Sequence, residues 1–409
     1  MKQNNPADVH RFLNVMFVAL LFAPMLGMMA GIGTSTPEAF REIENREPAS
    51  FPNTEWTWSG MAALPEALDR WFSDGFGFRS FLIDLNGRLD VQVLKVSPDP
   101  ERVVLGRQGW MFLGDLHERV FSKHTGQAAV SEVAIRRFAE DRRMEKEWLQ
   151  RLYVEYVVVI TPDKHTIYPE YLPEWVRSPR PSEAADRAVE LLETIGVSTI
   201  DLRPALRTAK KDYGDFLYHK TDTHWTELGA YVAYEHAMKG MEPLLGPLKR
   251  LEMKNFMVRD YDFGGDLSTM ARVDPYVHDH NVFMTYEQNL NTVSACEVSE
   301  KTPLKLLWED SRRNVPRNAN VEIINPNGFN DFRVLFMRDS FLTRLTHLFD
   351  QSFQQCVYTD ETYEQGLPMK DMVTRYRPDI VVFQLAERKI PEYRPKTDAR
   401  KASSSDLGP

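Results

Sequence analysis

Only two cysteines, Cys296 and Cys356, occur in 409 residues, which excludes a disulfide-stapled scaffold and any zinc site built on cysteine pairs. In an exported compartment the two can form one disulfide; equally, Cys356 opens an apolar run and can stay a buried thiol, and the spacing leaves both open. Basic blocks are missing too. Lys and Arg total 50 against 59 acidic residues, a net charge of −9 with the cations dispersed, which argues against a surface built to hold nucleic acid. Arg136-Arg137 and Arg142-Arg143 read as solvated helix faces. There is no repeat array and no His-Glu-x-x-His segment.

The one long uncharged apolar run is Phe12 to Ile32, enough to cross a bilayer core as a helix. Lys2 and Arg11 precede it while Glu38 and Glu42 follow, so the amino terminus is expected in the cytoplasm and the bulk of the chain outside. A cleaved signal peptide competes, with Gly31-Ile-Gly33 as the small-residue site, but the run exceeds a usual signal core and an anchor over 1–33 is favoured. Pro24 does not forbid it, since membrane helices tolerate proline. Residues 34 to about 52 read as a polar tether. Helical patterning from Ala62 to Leu94 puts Leu64, Leu68, Trp71 and Phe72 on one face, a lead-in ending near 100 and expected to pack against the main domain.

Beyond it, Val103-Val-Leu105 and Trp110-Met-Phe112 flank a Gly-rich turn and read as a hairpin. An α/β domain is expected over 101–390. A helix from Val130 to Arg151 precedes the apolar strand Tyr153–Ile160, then come a helix at Glu183–Ile195, a strand at Val197–Leu202, and strands near Arg333–Met337, Gln355–Tyr358 and Ile380–Gln384. Strands alternating with helices imply a three-layer α/β/α architecture on a mostly parallel sheet. The pattern breaks between about 241 and 332, read as an insertion, and 391–409 reads as a disordered tail.

Two segments carry chemistry. In Lys220-Thr-Asp222-Thr-His224-Trp225 a carboxylate two residues from an imidazole can accept its Nδ1 proton and leave Nε2 free as a base. Thr226 is the expected cap of a following helix that Gly240 should stop. In Arg338-Asp-Ser340-Phe341 the serine falls at a strand-to-helix turn, where a nucleophile projects from a sheet. Each segment alone also fits a structural role, Asp339 or Ser340 as a helix cap and His224 as a hydrogen-bonded core histidine. Pro162-Asp-Lys-His165 follows a strand end, a position from which Lys164 or His165 can face the substrate, although ordinary surface-loop residues are the default reading there. A metal site from His219, Asp222, His224 and His278-Asp-His280 is the rival chemistry.

In their order these motifs, with Trp71–Arg79, Val104–Leu113, Pro162–Pro169 and Gly264-Gly-Asp-Leu267, resemble the alginate O-acetyltransferase family of the AlgJ and AlgX type. The resemblance implies an SGNH-hydrolase-like domain with Ser340 as nucleophile, His224 as base and Asp222 as orienting acid, and no cofactor or metal. The N–H groups of the first turn at Ser340 are the expected oxyanion donors, with Gly265 a further candidate whose favoured reading is a tight loop turn, and Lys164, Arg338 and Trp225 are the candidate substrate contacts. It implies acetyl transfer to an exopolysaccharide, with the donor group supplied by a membrane-bound O-acyltransferase partner and the catalytic domain held in the periplasm on the inner membrane. A carbohydrate acetyl esterase and a silent polysaccharide-binding scaffold remain the alternatives. Arg338 stands where ordinary SGNH enzymes carry glycine, and Asp-x-His replaces their Asp-x-x-His.

Overall fold

An uninterrupted run such as Tyr156–Ile160 has no polar face to give to water, so it must be covered on both sides. In the structure, a computed structural model, it lies inside a central strand. The structure describes residues 6–32, 47–53, 57–176, 179, 183–262, 264–271, 273, 278–298, 305–316, 319–360 and 367–393. They belong to two compact units, residues 1–98 and 99–409.

The first unit is helical among its described residues. Pro6–Met29 is one helix through Pro24, and its His10–Met29 part is long and apolar enough to cross a membrane. Residues 33–46, most of the expected tether, lie outside the described residues. The helix Trp58–Gly75 is capped by Thr57, whose Oγ1 accepts from Gly60 N at 3.1 Å. The lead-in does not run unbroken to Leu94. It turns at Phe76–Phe78, where Phe78 is left-handed (φ 63°), and resumes as Arg79–Arg88 with a π-helical turn to Leu94. The unit buries little: no residue of Trp58–Gly75 is buried.

The second unit opens with a hairpin, β1 (Val103–Leu105) and β2 (Met111–Leu113). Then follow β3 (Glu155–Thr161), β4 (Ser198–Asp201), a ribbon of β5 (Met253–Asp262) and β6 (His278–Tyr286), β7 (Val293–Glu297), β8 (Leu306–Asp310), β9 (Val321–Ile324), β10 (Asn330–Met337), β11 (Phe353–Thr359) and β12 (Ile380–Ala386). The main sheet runs β4-β3-β12-β10-β11-β9-β7-β8. Its first five strands are parallel and its last three antiparallel. Alternate residues of the central strands divide between two cores. Val158, Ile160, Leu335 and Val381 face the helices Glu132–Gln150, Glu183–Thr194 and Met369–Tyr376. Val157, Val159, Val334 and Phe336 face Leu202–Tyr213, Glu227–Leu245 and Thr346–Ser352. The three layers follow.

Four expectations need correction. Gly240 does not end its helix, which continues through Pro243 to Leu245 and stops at Gly246 (φ 84°); a Cβ at Gly240 would sit 2.5 Å from Ile200 Cδ1, so that glycine allows the helix to pack on β4. The stretch read as an insertion supplies β7, β8 and β9 to the main sheet, beside the β5–β6 ribbon. Arg142 is buried, its guanidinium 3.9 Å from the Phe383 ring centroid and bonded to Glu145 at 2.6 Å. The chain stays packed past 391, with Pro391 and Tyr393 buried, and the rest of the expected tail lies outside the described residues. The cysteine question also closes: Cys296 on β7 and Cys356 on β11 are separated by β9, and both are buried thiols.

Candidate active site

β10 lies between β12 and β11, and its carboxyl end delivers Asp339 and Ser340 to the crest of the sheet, the usual place for ligands in such folds. Asp339 is the cap. Its Oδ1 accepts from Phe341 N (3.0 Å) and Gln384 Nε2 (2.9 Å), and its Oδ2 from Ala386 N (2.7 Å), tying the end of β10 to β12. Burial opposes its charge, yet Lys389 and Arg388 with these hydrogen bonds hold the carboxyl below its ordinary value. Ser340 is therefore free of capping duty. It opens a 3₁₀ turn, Ser340–Leu345, that passes into Thr346–Ser352.

From the far side comes the loop 219–225, closed at its neck by a bridge between Tyr218 and Trp225 and by Thr226 N donating to Leu217 O at 2.9 Å. His224 Nε2 lies 2.9 Å from Ser340 Oγ, and His224 Nδ1 lies 2.7 Å from Asp222 Oδ1. With the imidazole proton on Nδ1 donated to Asp222, Nε2 is the acceptor that faces the serine hydroxyl. Burial works against the Asp222 charge, but hydrogen bonds from His224 and the Arg344 guanidinium, 3.9 Å away, hold its carboxyl well below the usual carboxylate range. A hydroxyl, a base and an ionised orienting acid are thus in line.

The other expected contacts are engaged within the protein. Lys164 is buried and spends its three N–H bonds on the carbonyls of His219 (2.9 Å), Lys220 (3.0 Å) and Asp222 (2.8 Å). The rings of Trp110 and Phe112, each 5.5 Å away, cage it, and burial brings its ammonium down to about 8. It holds the loop's shape, with all three N–H groups engaged inside the protein. His165 is likewise buried, its Nε2 3.0 Å from Leu113 O. Trp225 is buried with Nε1 donating to Phe341 O at 3.1 Å, and Arg338 is buried with bonds to Thr343 Oγ1 (2.9 Å) and Pro316 O (2.6 Å). Gly265 is not an open oxyanion donor, because its N–H donates to Thr221 Oγ1 at 3.2 Å. A Cβ there would meet Thr221 O at 2.5 Å and Asp222 Cβ at 2.6 Å, so the glycine lets the turn press against the loop.

Asp266 and Asp279 were not singled out from the sequence. Asp266 accepts from Thr223 N (2.6 Å), lies 3.6 Å from His224 Nδ1, and donates its own N–H to Asp222 Oδ2 (3.4 Å). Asp279 accepts from Lys220 N and Thr221 N, both at 3.1 Å. The Gly264-Gly-Asp and His278-Asp-His280 segments were the available signals, read for a glycine and for metal ligands. Among the described residues two groups bring three potential cation ligands together: Asp222, His224 and Asp266, and the buried His124, Asp163 and Glu387. In the first, both imidazole nitrogens face Asp222 and Ser340. In the second, the Arg388 guanidinium already pairs with Asp163 and His124 Nε2 meets Thr166 Oγ1 at 2.9 Å. Neither donor set suits a resident metal.

Solved structures share this architecture. PatB1 of Bacillus cereus superposes with a TM-score of 0.53 at 15% identity, covering 70% of this chain and 96% of that one. A DHHW family protein from Eubacterium siraeum gives 0.52 at 17% identity, covering 72% and 93%. These define the class of fold. The family follows from the sequence: residues 103–314, more than half of the chain, match the family "SGNH hydrolase-like domain, acetyltransferase AlgX", and the chain belongs to it. A probable alginate O-acetylase AlgJ of Pseudomonas syringae pv. tomato is 23% identical over 268 residues, 65% of this chain and 62% of that protein. Its counterpart in Pseudomonas aeruginosa is 28% identical over 176 residues, 42% of each. The matched part of the chain therefore spans less than two thirds of the length of these relatives. The family match contains the Asp222/His224 loop and the Gly264–Leu267 turn but ends before Ser340.

Proposed function

We propose that this chain is an O-acetyltransferase that moves acetyl groups onto hydroxyls of an exopolysaccharide through an acetyl-serine. The observation that carries it is the 2.9 Å approach of His224 Nε2 to Ser340 Oγ, with Asp222 2.7 Å behind the imidazole. His224 takes the Ser340 proton as Oγ attacks the acetyl carbonyl. The oxyanion forms beside the Ser340 N–H, which as the first group of its turn has no partner within the turn. Collapse breaks the bond to the donor oxygen, which leaves with the proton held on His224. A sugar hydroxyl then gives its proton to His224 and attacks the acetyl-serine, and the alkoxide of Ser340 leaves and is reprotonated. Asp222 stays ionised throughout and stabilises the imidazolium.

Membership in an acetyltransferase family supports transfer over hydrolysis, and the alginate O-acetylases among the relatives support an alginate-like acceptor. The apolar helix His10–Met29 and the charges around it support an inner-membrane anchor with the catalytic domain in the periplasm. A membrane-bound O-acyltransferase would supply the acetyl group there. The test is mass spectrometry of the protein incubated with an aryl acetate and oligomannuronate, wild type against Ser340→Ala. Acetylated sugar and a +acetyl adduct on the Ser340 peptide, both lost in Ser340→Ala, are expected. Acetate released with no acetylated sugar makes it an esterase, and undiminished turnover in Ser340→Ala overturns the serine.

A further inference from the structure

The apolar helix at the amino terminus meets the lead-in at a glycine-rich turn. Gly27, Met28 and Pro24 meet the turn that holds Gly75, Gly77 and Phe78: a Cβ on Gly77 would lie 2.6 Å from Met28 N, and one on Gly27 would lie 2.8 Å from the Phe78 ring. Gly27 and Gly77 are the buried residues of this contact, and backbones approach this closely only where side chains are missing. The contact fixes a depth. With 1.5 Å per residue, a helix His10–Met29 is about 30 Å long, the thickness of a hydrocarbon core. Pro24 to Gly27 then lie about 3–8 Å inside its outer boundary, and the turn packed on them lies at the same depth.

Both helices leaving that turn carry an exposed apolar stripe. On Arg79–Arg88 and its π-helical extension it is Phe81 (59% exposed), Leu82, Leu85 and Leu89; on Trp58–Gly75 it includes Met61 (50%) and Phe72. Most of the exposed large apolar side chains among the described residues belong to this first unit. A stripe of this kind on a helix held about 5–10 Å into the headgroup boundary is how helices lie on bilayers. Charge does not select the surface, since Arg70 is paired with Glu66 and acids and bases are mixed along both helices.

We infer that residues 58–94 are a monotopic element lying in the outer face of the bilayer, apolar stripes toward the acyl chains, clamped to the anchor through Gly27, Gly75 and Gly77. The inference rests on the anchor reading made above. It replaces a lead-in packed against the main domain by a membrane-bound platform, and the partner is the lipid surface itself.

The test uses the full chain reconstituted in phosphatidylcholine vesicles, with single cysteines at Met61, Leu85 or Glu66 carrying a polarity-sensitive fluorophore; the native thiols are buried. Labels at Met61 and Leu85 are expected to be quenched by headgroup-proximal nitroxide lipids and shielded from aqueous iodide, unchanged by salt. The label at Glu66, on the charged face, shows the reverse. Gly77→Leu should raise iodide quenching at Leu85 at least several-fold. Labels at Met61 and Leu85 that answer to iodide, or to neither quencher because protein covers them, overturn the inference. Intact mass of the same sample separates its failure from that of the anchor: a chain lacking the first helix removes the anchor and the depth constraint together, whereas an intact chain with iodide-quenched labels keeps the anchor and refutes the platform.

Discussion

Residues 99–409 and residues 1–98 are both rich in apolar side chains, but they dispose of them in opposite ways. In the larger unit Leu335, Phe336 and Val381 are fully buried on a sheet covered on both faces, whereas in the smaller one an 18-residue helix buries nothing. The lesson is that periodicity reports an amphipathic face and says nothing of what covers it. In the larger unit the cover is protein, and rigidity follows: a serine, an imidazole and a carboxylate are held in register across 116 residues of separation. In the smaller unit the cover proposed is lipid, and the demand on geometry is a depth.

The comparison breaks most readily at the site. Ser340→Ala is expected to lower aryl-acetate turnover by on the order of 10³–10⁴-fold while the melting curve stays put, measured by stopped-time assay and calorimetry. Asp222→Asn should cost about as much in kcat, and its effect on stability has a sign. The folded carboxyl is depressed below 3.8, so the stability it contributes is present in full above that value and is lost as pH falls through the folded pKa. Wild type should therefore converge with Asp222→Asn in urea melts only in strong acid, and convergence near neutrality would contradict the depressed carboxyl. Lys164→Met leaves three buried carbonyls without donors and should cost about 3 kcal/mol or more along with most activity. Raising pH past about 8 removes one of those donors by deprotonation, so wild-type activity should decline on that alkaline limb. The finest contrast is a matched pair. Leu335→Ala should cost about 2–5 kcal/mol in urea melts, but Leu64→Ala, on the helix with no buried residue, should cost under about 1 kcal/mol. Equal losses would mean that the lead-in is packed against protein after all.

What the sequence made legible was what local chemistry dictates. Thr226 caps its helix as read, β3, β10, β11 and β12 lie where apolar runs placed them, and Asp222, His224 and Ser340 meet. What stayed illegible depended on distant partners. Gly240 looked like a helix stop because Ile200, which needs its missing Cβ, is forty residues away. Strands β7 to β9 were hidden among polar residues because antiparallel strands near a sheet edge need one apolar face at most. Lys164 and Arg338 stand beside the right motifs for ligand contacts, yet Lys164 bonds to three backbone carbonyls and Arg338 to the Thr343 hydroxyl and the Pro316 carbonyl, partners that no spacing reveals.

Strand order has one more consequence, for timing. β12 follows every other described strand in the chain, yet it lies in the middle of the parallel sheet, between β3 and β10, and its Gln384 and Ala386 fasten Asp339 beside the serine. A nascent chain lacks that central slat, so β3 and β10 have no common neighbour and the serine turn has no brace. Such late, non-local closure is slow to form. The turn that carries Ser340 is therefore braced only once the last described strand has arrived, because until then Asp339 has neither Gln384 nor the Ala386 N–H to hold it.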